Sequence, residues 1–215
     1  MSAEQDAVTK EWDAFAGEWD DMAAGYRDAF VELLWQETGY DTPDKQKDLV
    51  VLDFGCATGL LTEAIHDKVQ KVVAIDVAPS MVKVLQEKIK AAEWTNVDAY
   101  CAVAANLDAT PQVKTALEAL EGKVDVIAAS SVLSFVPAGD LEATMKVLAG
   151  LLKPGTGLLM HTDWIQGEQH PEGFTEAKAE GMYKAGGLQV KTMKTPMMKM
   201  AGHEFSVFLG VATKS

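Results

Sequence analysis

Short apolar runs alternate with amphipathic segments along most of the chain, and this alternation limits the possible folds more than any other feature. The runs with the length and composition of buried strands are 48–55, 71–77, 96–103, 123–132 and 157–164. The segments between them carry signals for the start and end of helices. Parallel strands need such crossover connections, so the pattern predicts a doubly wound α/β fold with a mostly parallel sheet.

The N-terminal region departs from this alternation. Residues 5–37 have apolar side chains at helical spacings, and Gly17 and Gly25 are expected to break the region into pieces. We therefore interpret residues 1–40 as an N-terminal helical cap on the sheet.

The C-terminal region departs from it in another way. The runs 188–200 and 203–214 follow one another with no helix between them, which indicates a closing strand pair. The sequence therefore predicts a seven-stranded sheet with one antiparallel strand near the C-terminal edge. No internal repeat or linker divides the chain, so we expect a single domain over 1–215.

The charge balance limits the partners of the protein. Lys and Arg together number 19 against 32 Asp and Glu, a net charge of −13, and Arg27 is the only arginine. A surface that binds nucleic acid needs clustered Lys and Arg to displace counterions, so we expect no nucleic-acid partner. No apolar run approaches the ~20 residues of a membrane span, and the N-terminus does not resemble a signal peptide. We expect a cytoplasmic protein without a membrane partner.

The cysteines and histidines form no recognisable pattern. Cys56 and Cys101 are too few for a disulfide framework, and no Cys/His group has the spacing of a zinc site, so we expect no metal. Nothing in the sequence indicates the oligomeric state.

The turn after the first predicted strand has a composition suited to ligand binding. It reads Asp53-Phe54-Gly55-Cys56-Ala57-Thr58-Gly59, and ligands of doubly wound sheets bind beyond the carboxyl ends of such strands. Its glycines let the backbone approach a ligand closely. The second strand ends at Asp76, 21 residues after Gly55, where a carboxylate can accept two hydrogen bonds from a ribose diol.

The glycine spacing disfavours a dinucleotide ligand. The G-x-G-x-x-G pattern places its third glycine five residues after the first, but counted from Gly55 that position is Leu60, and the middle glycine is replaced by Ala57. A pyrophosphate needs that close approach, so NAD fits badly. An adenosyl ligand without a phosphate tolerates Ala57.

The segments VLDFGCATG and VVAIDVAPSMV resemble the first two motifs of class I S-adenosylmethionine-dependent methyltransferases. The resemblance continues through VDVIAASSVLSFVP and LAGLLKPGTGLLM and covers roughly residues 48–165. The N-terminal segment WDAFAGEWDDMA is similar to the small-molecule branch, of methyltransferase type 11/12. The resemblance implies a Rossmann-like methyltransferase fold, S-adenosylmethionine as cofactor and a small-molecule acceptor.

The resemblance also implies roles for the residues of the first two motifs. The backbone at Gly55, Cys56 and Gly59 would pass close to the methionine part of the cofactor. Asp53 would help to hold its ammonium group, and Asp76 would bind the ribose hydroxyls.

Further roles follow for residues outside those turns. Val77 and Met81 would flank the adenine, and Ala105-Asn106, after the third strand, would face its edge. Ser130, after the fourth strand, would line the methyl-transfer channel. Trp19 matches a position where relatives place an aromatic lid.

Methyl transfer from a sulfonium is an in-line displacement, in which the protein mainly holds the acceptor at attacking distance in a dry cavity. A general base helps only when the acceptor carries a proton of high pKa. His161 and Asp163, at the end of the fifth strand, are the candidate catalytic residues. Two other classes stay open: a module that binds S-adenosylmethionine or S-adenosylhomocysteine without turnover, such as a partner subunit, and a nicotinamide oxidoreductase, which the glycine spacing disfavours.

Overall fold

A computed structural model of the protein describes residues 3–200 and 203–215. Its strands are β1 Val50–Phe54, β2 Lys71–Asp76, β3 Val97–Cys101, β4 Val126–Ser130, β5 Leu158–Trp164, β6 Leu188–Lys194, β7 Met197–Met200 and β8 His203–Lys214. They form one sheet in the order β3-β2-β1-β4-β5-β8-β6, and β7 pairs with β8. The carboxyl ends of β1, β2 and β4 therefore lie side by side near the centre of the sheet.

Helices cover both faces of this sheet. They are α1 Ala3–Asp13, α2 Trp19–Thr38, α3 Pro43–Gln46, α4 Leu60–Ile65, α5 Pro79–Ala91, α6 Pro111–Glu118, α7 Ala138–Leu151 and α8 Glu176–Ala185, with 3₁₀ helices at Ala104–Ala109 and Leu133–Phe135. One face of the sheet packs against α6, α7 and α8, and the other against α2 and α4. Because both faces are buried, the central strands are mostly apolar and do not alternate between apolar and polar residues.

The predicted fold class is confirmed. The strands β1 to β5 are parallel to one another, and β8 runs antiparallel between β5 and β6. The sheet has eight strands rather than the predicted seven, because the run 188–200 is divided at Thr195-Pro196. Proline has no N–H to donate to a ladder, so pairing stops there, and the second half of the run becomes β7.

The N-terminal helices pack onto this framework from two sides. The helix α1 contacts α5, and α2 contacts α4, β5 and β7. Gly17 lies in the turn between α1 and α2, whereas Gly25, the second predicted break, lies inside α2. A glycine costs a helix only about 1 kcal/mol, and the burial of Phe30 and Leu34 against the sheet outweighs that cost. In the part of the chain that the structure describes, no helix has the length and apolar composition needed to cross a membrane.

Candidate functional site

Two adjoining cavities lie at the carboxyl ends of β1, β2 and β4, beneath the N-terminal helices. The larger has a volume of about 380 Å³ and the smaller a volume of about 80 Å³. The residues that line both are Trp12, Trp19, Gly55, Ala57, Ser130, Ser131 and Phe135. A ligand that extends through both cavities would therefore contact the turn after β1, the end of β4 and the N-terminal helices.

The turn after β1 has left-handed backbone conformations at Gly55 (φ +75°), Ala57 (φ +47°) and Gly59 (φ +87°). A Cβ atom at Gly55 would lie 2.5 Å from a methyl carbon of Val132, and one at Gly59 would lie 2.3 Å from a methyl carbon of Leu85. The left-handed backbone conformation and the lack of room for a Cβ atom thus both require glycine at these two positions. Gly55 lines both cavities, whereas Gly59 precedes α4 behind the turn and contributes to its shape.

Asp76 ends β2 and lines the smaller cavity, together with Val77 and Met81. Its two carboxylate oxygens each accept a backbone hydrogen bond, from Ala57 (2.9 Å) and from Ala78 (2.8 Å). Burial raises the pKa of this carboxyl above its ordinary value. The two N–H groups fix its orientation, and each oxygen keeps a lone pair with which it can accept a further hydrogen bond.

Asp53 lines the larger cavity from within β1, and only 1% of its surface is exposed. One of its oxygens accepts a hydrogen bond from the hydroxyl of Thr62 at 2.6 Å. Among the described residues, no Lys, Arg or His forms an ion pair with it, and burial raises its pKa to about 7. A buried carboxylate without a cationic partner is costly, so this position is suited to the positive group of a ligand.

Cys56 also lines the larger cavity, and only 4% of its surface is exposed. Its sulfur lies 3.6 Å from the carbonyl oxygen of Ala57, and burial raises the pKa of its thiol well above the ordinary value. The side chain is therefore an uncharged part of the wall at neutral pH.

Aromatic side chains form most of the remaining wall of the larger cavity. They are Trp12, Phe15, Trp19, Tyr26, Phe30, Phe135 and Trp164. The Tyr26 hydroxyl accepts a hydrogen bond from Ser131 at 2.8 Å and shares one with Thr162 at 2.6 Å, and burial raises its pKa. Glu11 and Arg27 are the charged side chains that line the cavity besides Asp53. The cavity therefore suits a largely apolar molecule with few polar groups.

The N-terminal helices close over the cavities through ring contacts and hydrogen bonds. The ring centroid of Trp12 lies 5.0 Å from that of Phe135, at 81°, and 5.6 Å from that of Trp19, at 89°. At the end of α1, Asp13 accepts a hydrogen bond from the backbone N–H of Ser80 in α5 at 2.6 Å. These contacts place α1 and the first turn of α2 above both cavities.

Comparison with known proteins identifies the family. A family model described as a methyltransferase domain matches residues 52–158, a stretch that contains Asp53, the glycine-containing turn and Asp76. The chain belongs to the class I S-adenosylmethionine-dependent methyltransferases. The resemblance inferred from the sequence motifs is thereby confirmed.

Two curated methyltransferases show how far this similarity extends. The ubiquinone biosynthesis O-methyltransferase of Xanthomonas campestris pv. campestris (strain B100) is 33% identical over 119 residues, which are 52% of this chain and 42% of that protein. The protein of the same name from Xanthomonas oryzae pv. oryzae (strain PXO99A) is 32% identical over 119 residues, which are again 52% of this chain and 42% of that protein. The matched region thus spans less than half the length of these relatives.

Solved methyltransferase structures match the chain along nearly its whole length. An S-adenosylmethionine-dependent methyltransferase from Anabaena variabilis has a TM-score of 0.70 at 15% identity and covers 100% of this chain and 96% of its own. Magnesium protoporphyrin IX methyltransferase from Synechocystis, solved with S-adenosylhomocysteine, has a TM-score of 0.69 at 17% identity. The match covers 99% of this chain and 100% of that one. At these identities the likeness establishes the methyltransferase fold.

The predicted catalytic residues His161 and Asp163 lie outside the two cavities. Both side chains are fully buried, and neither lines the larger or the smaller cavity. Successive side chains of a strand point to opposite faces of the sheet. Thr162 and Trp164 point towards the N-terminal helices, so His161 and Asp163 point away from them, towards α8.

The prediction for Ala105 and Asn106 also differs from the structure. The strand β3 ends at Cys101 rather than at residue 103, and Ala102, directly after it, lines the smaller cavity. Ala105 and Asn106 lie in the 3₁₀ segment beyond and do not line either cavity. The strand ends two residues earlier than predicted, so the segment that reaches the cavity comes earlier in the chain.

The other predicted cofactor residues line one or both cavities, except Gly59, which shapes the turn after β1. Trp19, Gly55 and Ser130 line both cavities, Asp53 and Cys56 line the larger one, and Asp76, Val77 and Met81 line the smaller one. Sequence reasoning missed Trp12, Tyr26, Phe135 and Trp164 as wall residues. The spacing of Trp12, Trp19 and Tyr26 by sevens was the one available signal, because it places them on one side of a helical region.

Proposed function

We propose that the protein binds S-adenosylmethionine across the two cavities and transfers its methyl group to a small organic acceptor by in-line displacement. The observation that carries this proposal is the pair of carboxylates, Asp76 in the smaller cavity and Asp53 in the larger one, joined by the turn at Gly55. Asp76 would accept hydrogen bonds from the ribose hydroxyls. Val77 and Met81, which line the same cavity, would flank the adenine. Asp53, which has no cationic partner among the described residues, would pair with the ammonium group.

The bound cofactor would supply a methyl group that is already activated, so the protein's remaining task is to orient the acceptor and exclude water. The aromatic wall and the N-terminal helices above it suit that task. The residues that line the larger cavity include neither His nor Lys, and the pKa of Tyr26 is raised by burial, so it keeps its proton. Orientation rather than proton abstraction would therefore provide the rate enhancement.

The wall also indicates the kind of acceptor. Seven aromatic side chains favour a flat, mostly apolar molecule. The similarity to proteins named as O-methyltransferases makes a hydroxyl group the first acceptor atom to test. The net charge of −13 disfavours a nucleic-acid acceptor.

Two measurements test this proposal. Calorimetry should detect S-adenosylhomocysteine binding and little or no NADH binding, and tighter binding of NADH would refute the cofactor. Labelled S-adenosylmethionine should then transfer its methyl group to a member of a panel of hydroxylated aromatic compounds or to a component of a metabolite extract. Binding of S-adenosylhomocysteine without any labelled product would favour a cofactor-binding module without turnover.

A further inference from the structure

A fully buried polar chain crosses the protein behind the larger cavity. The Tyr183 hydroxyl of α8 lies 2.6 Å from Nε2 of His161, and Nδ1 of His161 lies 2.7 Å from Oδ2 of Asp163. None of the three side chains has exposed surface. These groups are satisfied by one another, but no step of the proposed methyl transfer uses them.

Asp163 extends this chain to the site. Its other oxygen, Oδ1, accepts hydrogen bonds from the backbone N–H of Ser134 at 2.9 Å and from the Ser134 hydroxyl. The next residue, Phe135, lines both cavities, and its ring meets that of Trp12 at 5.0 Å. Asp163 thus holds the turn on which α1 rests.

The strand β8 leaves room for this chain. Gly210 lies opposite His161 in the antiparallel pair of β5 and β8. A Cβ atom at Gly210 would lie 1.9 Å from the Tyr183 hydroxyl and 2.7 Å from Nε2 of His161. Glycine weakens a strand interior, so its presence here is explained by the space that the Tyr183–His161 hydrogen bond occupies.

We propose that Asp163 is a positioning residue: held by His161 and Tyr183, it fixes the turn at Ser134 and Phe135 as the platform on which Trp12 and helix α1 dock. The platform lies behind the wall shared by the two cavities, so its position decides whether α1 closes them. That closure matters for methyl transfer only if the proposed function holds, but the docking itself can be measured without any ligand.

The test compares hydrogen exchange in residues 3–13 of the ligand-free protein with that of Asp163→Ala. Exchange in α1 should accelerate by roughly tenfold or more, because hydrogen bonds to a charged acceptor are lost at the platform. Ser134→Ala should give a smaller increase, since the backbone N–H of residue 134 still donates to Asp163. Asp163→Asn should largely restore the protection, because its amide oxygen can still accept from Ser134.

Asp125→Ala is the matched control. Asp125 is also a buried carboxylate that accepts a backbone hydrogen bond, from Val50 at 2.8 Å, but it lies at the amino end of β4, away from the cavities. Its loss should lower global stability without a selective change in α1. Equal effects of Asp163→Ala and Asp125→Ala on α1, or no effect of Asp163→Ala, would overturn the proposal.

The affinity for S-adenosylhomocysteine separates this proposal from the proposed function. Asp163→Ala should weaken binding several-fold more than Asp125→Ala does. If the unmodified protein does not bind S-adenosylhomocysteine, the proposed function fails, whereas the exchange measurements still decide whether Asp163 positions the platform. Should the Asp163→Ala protein not fold, the Ser134→Ala protein is compared with Asp125→Ala instead: a selective increase of exchange in α1 supports the proposal, and no increase overturns it.

Discussion

The hydroxyl of Thr58 donates a hydrogen bond to the carboxylate of Asp20 and so joins the turn after β1 to the first turn of α2. The other oxygen of Asp20 accepts a hydrogen bond from Lys88 of α5 at 2.7 Å. Partial burial acts to raise the pKa of Asp20, but the hydrogen bonds from Lys88 and Thr58 outweigh it and hold the pKa below its ordinary value. The N-terminal helices are thus attached to the same turn that would hold the cofactor.

We therefore expect cofactor binding to tighten this attachment. Adding S-adenosylhomocysteine should raise hydrogen-exchange protection in residues 8–25 and, less strongly, in residues 161–174. Thr58→Val, which keeps the shape but removes the hydroxyl, should reduce the protection of residues 8–25. If protection changes only in the turn and around Asp76, the N-terminal helices are static packing rather than a movable lid.

Asp76→Ala should weaken the binding of S-adenosylhomocysteine by at least about tenfold while the protein stays folded, because hydrogen bonds to a charged group contribute roughly 1.5–3 kcal/mol each. Calorimetry measures the change. The control is Asp98→Ala, which removes a half-exposed carboxylate of β3 that pairs with Lys71 at 2.6 Å. An unchanged dissociation constant in a folded Asp76→Ala protein would remove Asp76 from the site.

The raised pKa of Asp53, about 7, predicts a pH dependence of both stability and binding. A carboxyl whose pKa is higher in the folded than in the unfolded state stabilises the fold at low pH, and that contribution is lost as the pH rises from about 4 through about 7. Asp53→Asn should therefore be more stable than the unmodified protein at pH 8, as denaturant titration can show.

Binding should depend on pH in the opposite sense. An ammonium group pairs with the ionised form of Asp53, so the affinity for S-adenosylhomocysteine should rise between pH 6 and pH 8 with release of a proton. Calorimetry in buffers of different ionisation enthalpy measures that release. The same rise in Asp53→Asn would show that another group is responsible.

Ala57→Gly should leave stability unchanged or raise it by up to about 1.5 kcal/mol. The left-handed conformation costs an alanine roughly 1–2 kcal/mol, whereas glycine loses roughly 0.5–1 kcal/mol of chain entropy on folding. Glu93→Gly is the matched variant outside the site, because Glu93 also has a positive φ, of 54°. A clear loss of stability in Ala57→Gly alone would mean that the methyl group of Ala57 contributes packing that outweighs its strain.

The part of the candidate site proposed to hold the cofactor could be located from the sequence because its residues are close together in the chain. Gly55, Asp53 and Asp76 follow directly from where two apolar strands end, and glycine has a conformational reason to stand in such a turn. The acceptor side could not, because its wall brings together Trp12 and Trp164, which are far apart in the chain.

His161 shows a second limit of the sequence. A strand buried on both faces lacks the regular alternation of apolar and polar residues, so its pattern does not reveal which residues point to which side. The sequence correctly placed His161 in the fifth strand. Its neighbour Thr162, however, is the residue whose side chain faces Tyr26. A shift of one residue along β5 thus separates a side chain that faces the larger cavity from one that lies in the buried polar chain behind it.

Cys56 lies in the turn that, in the proposed complex, would adjoin an activated methyl group. A thiolate at this position would compete with the acceptor, since the thiolate and not the thiol is the nucleophile. Burial raises the pKa of Cys56 and so keeps its sulfur protonated at neutral pH. In the proposed complex, the low exposure of this one side chain would therefore protect the protein from methylating itself.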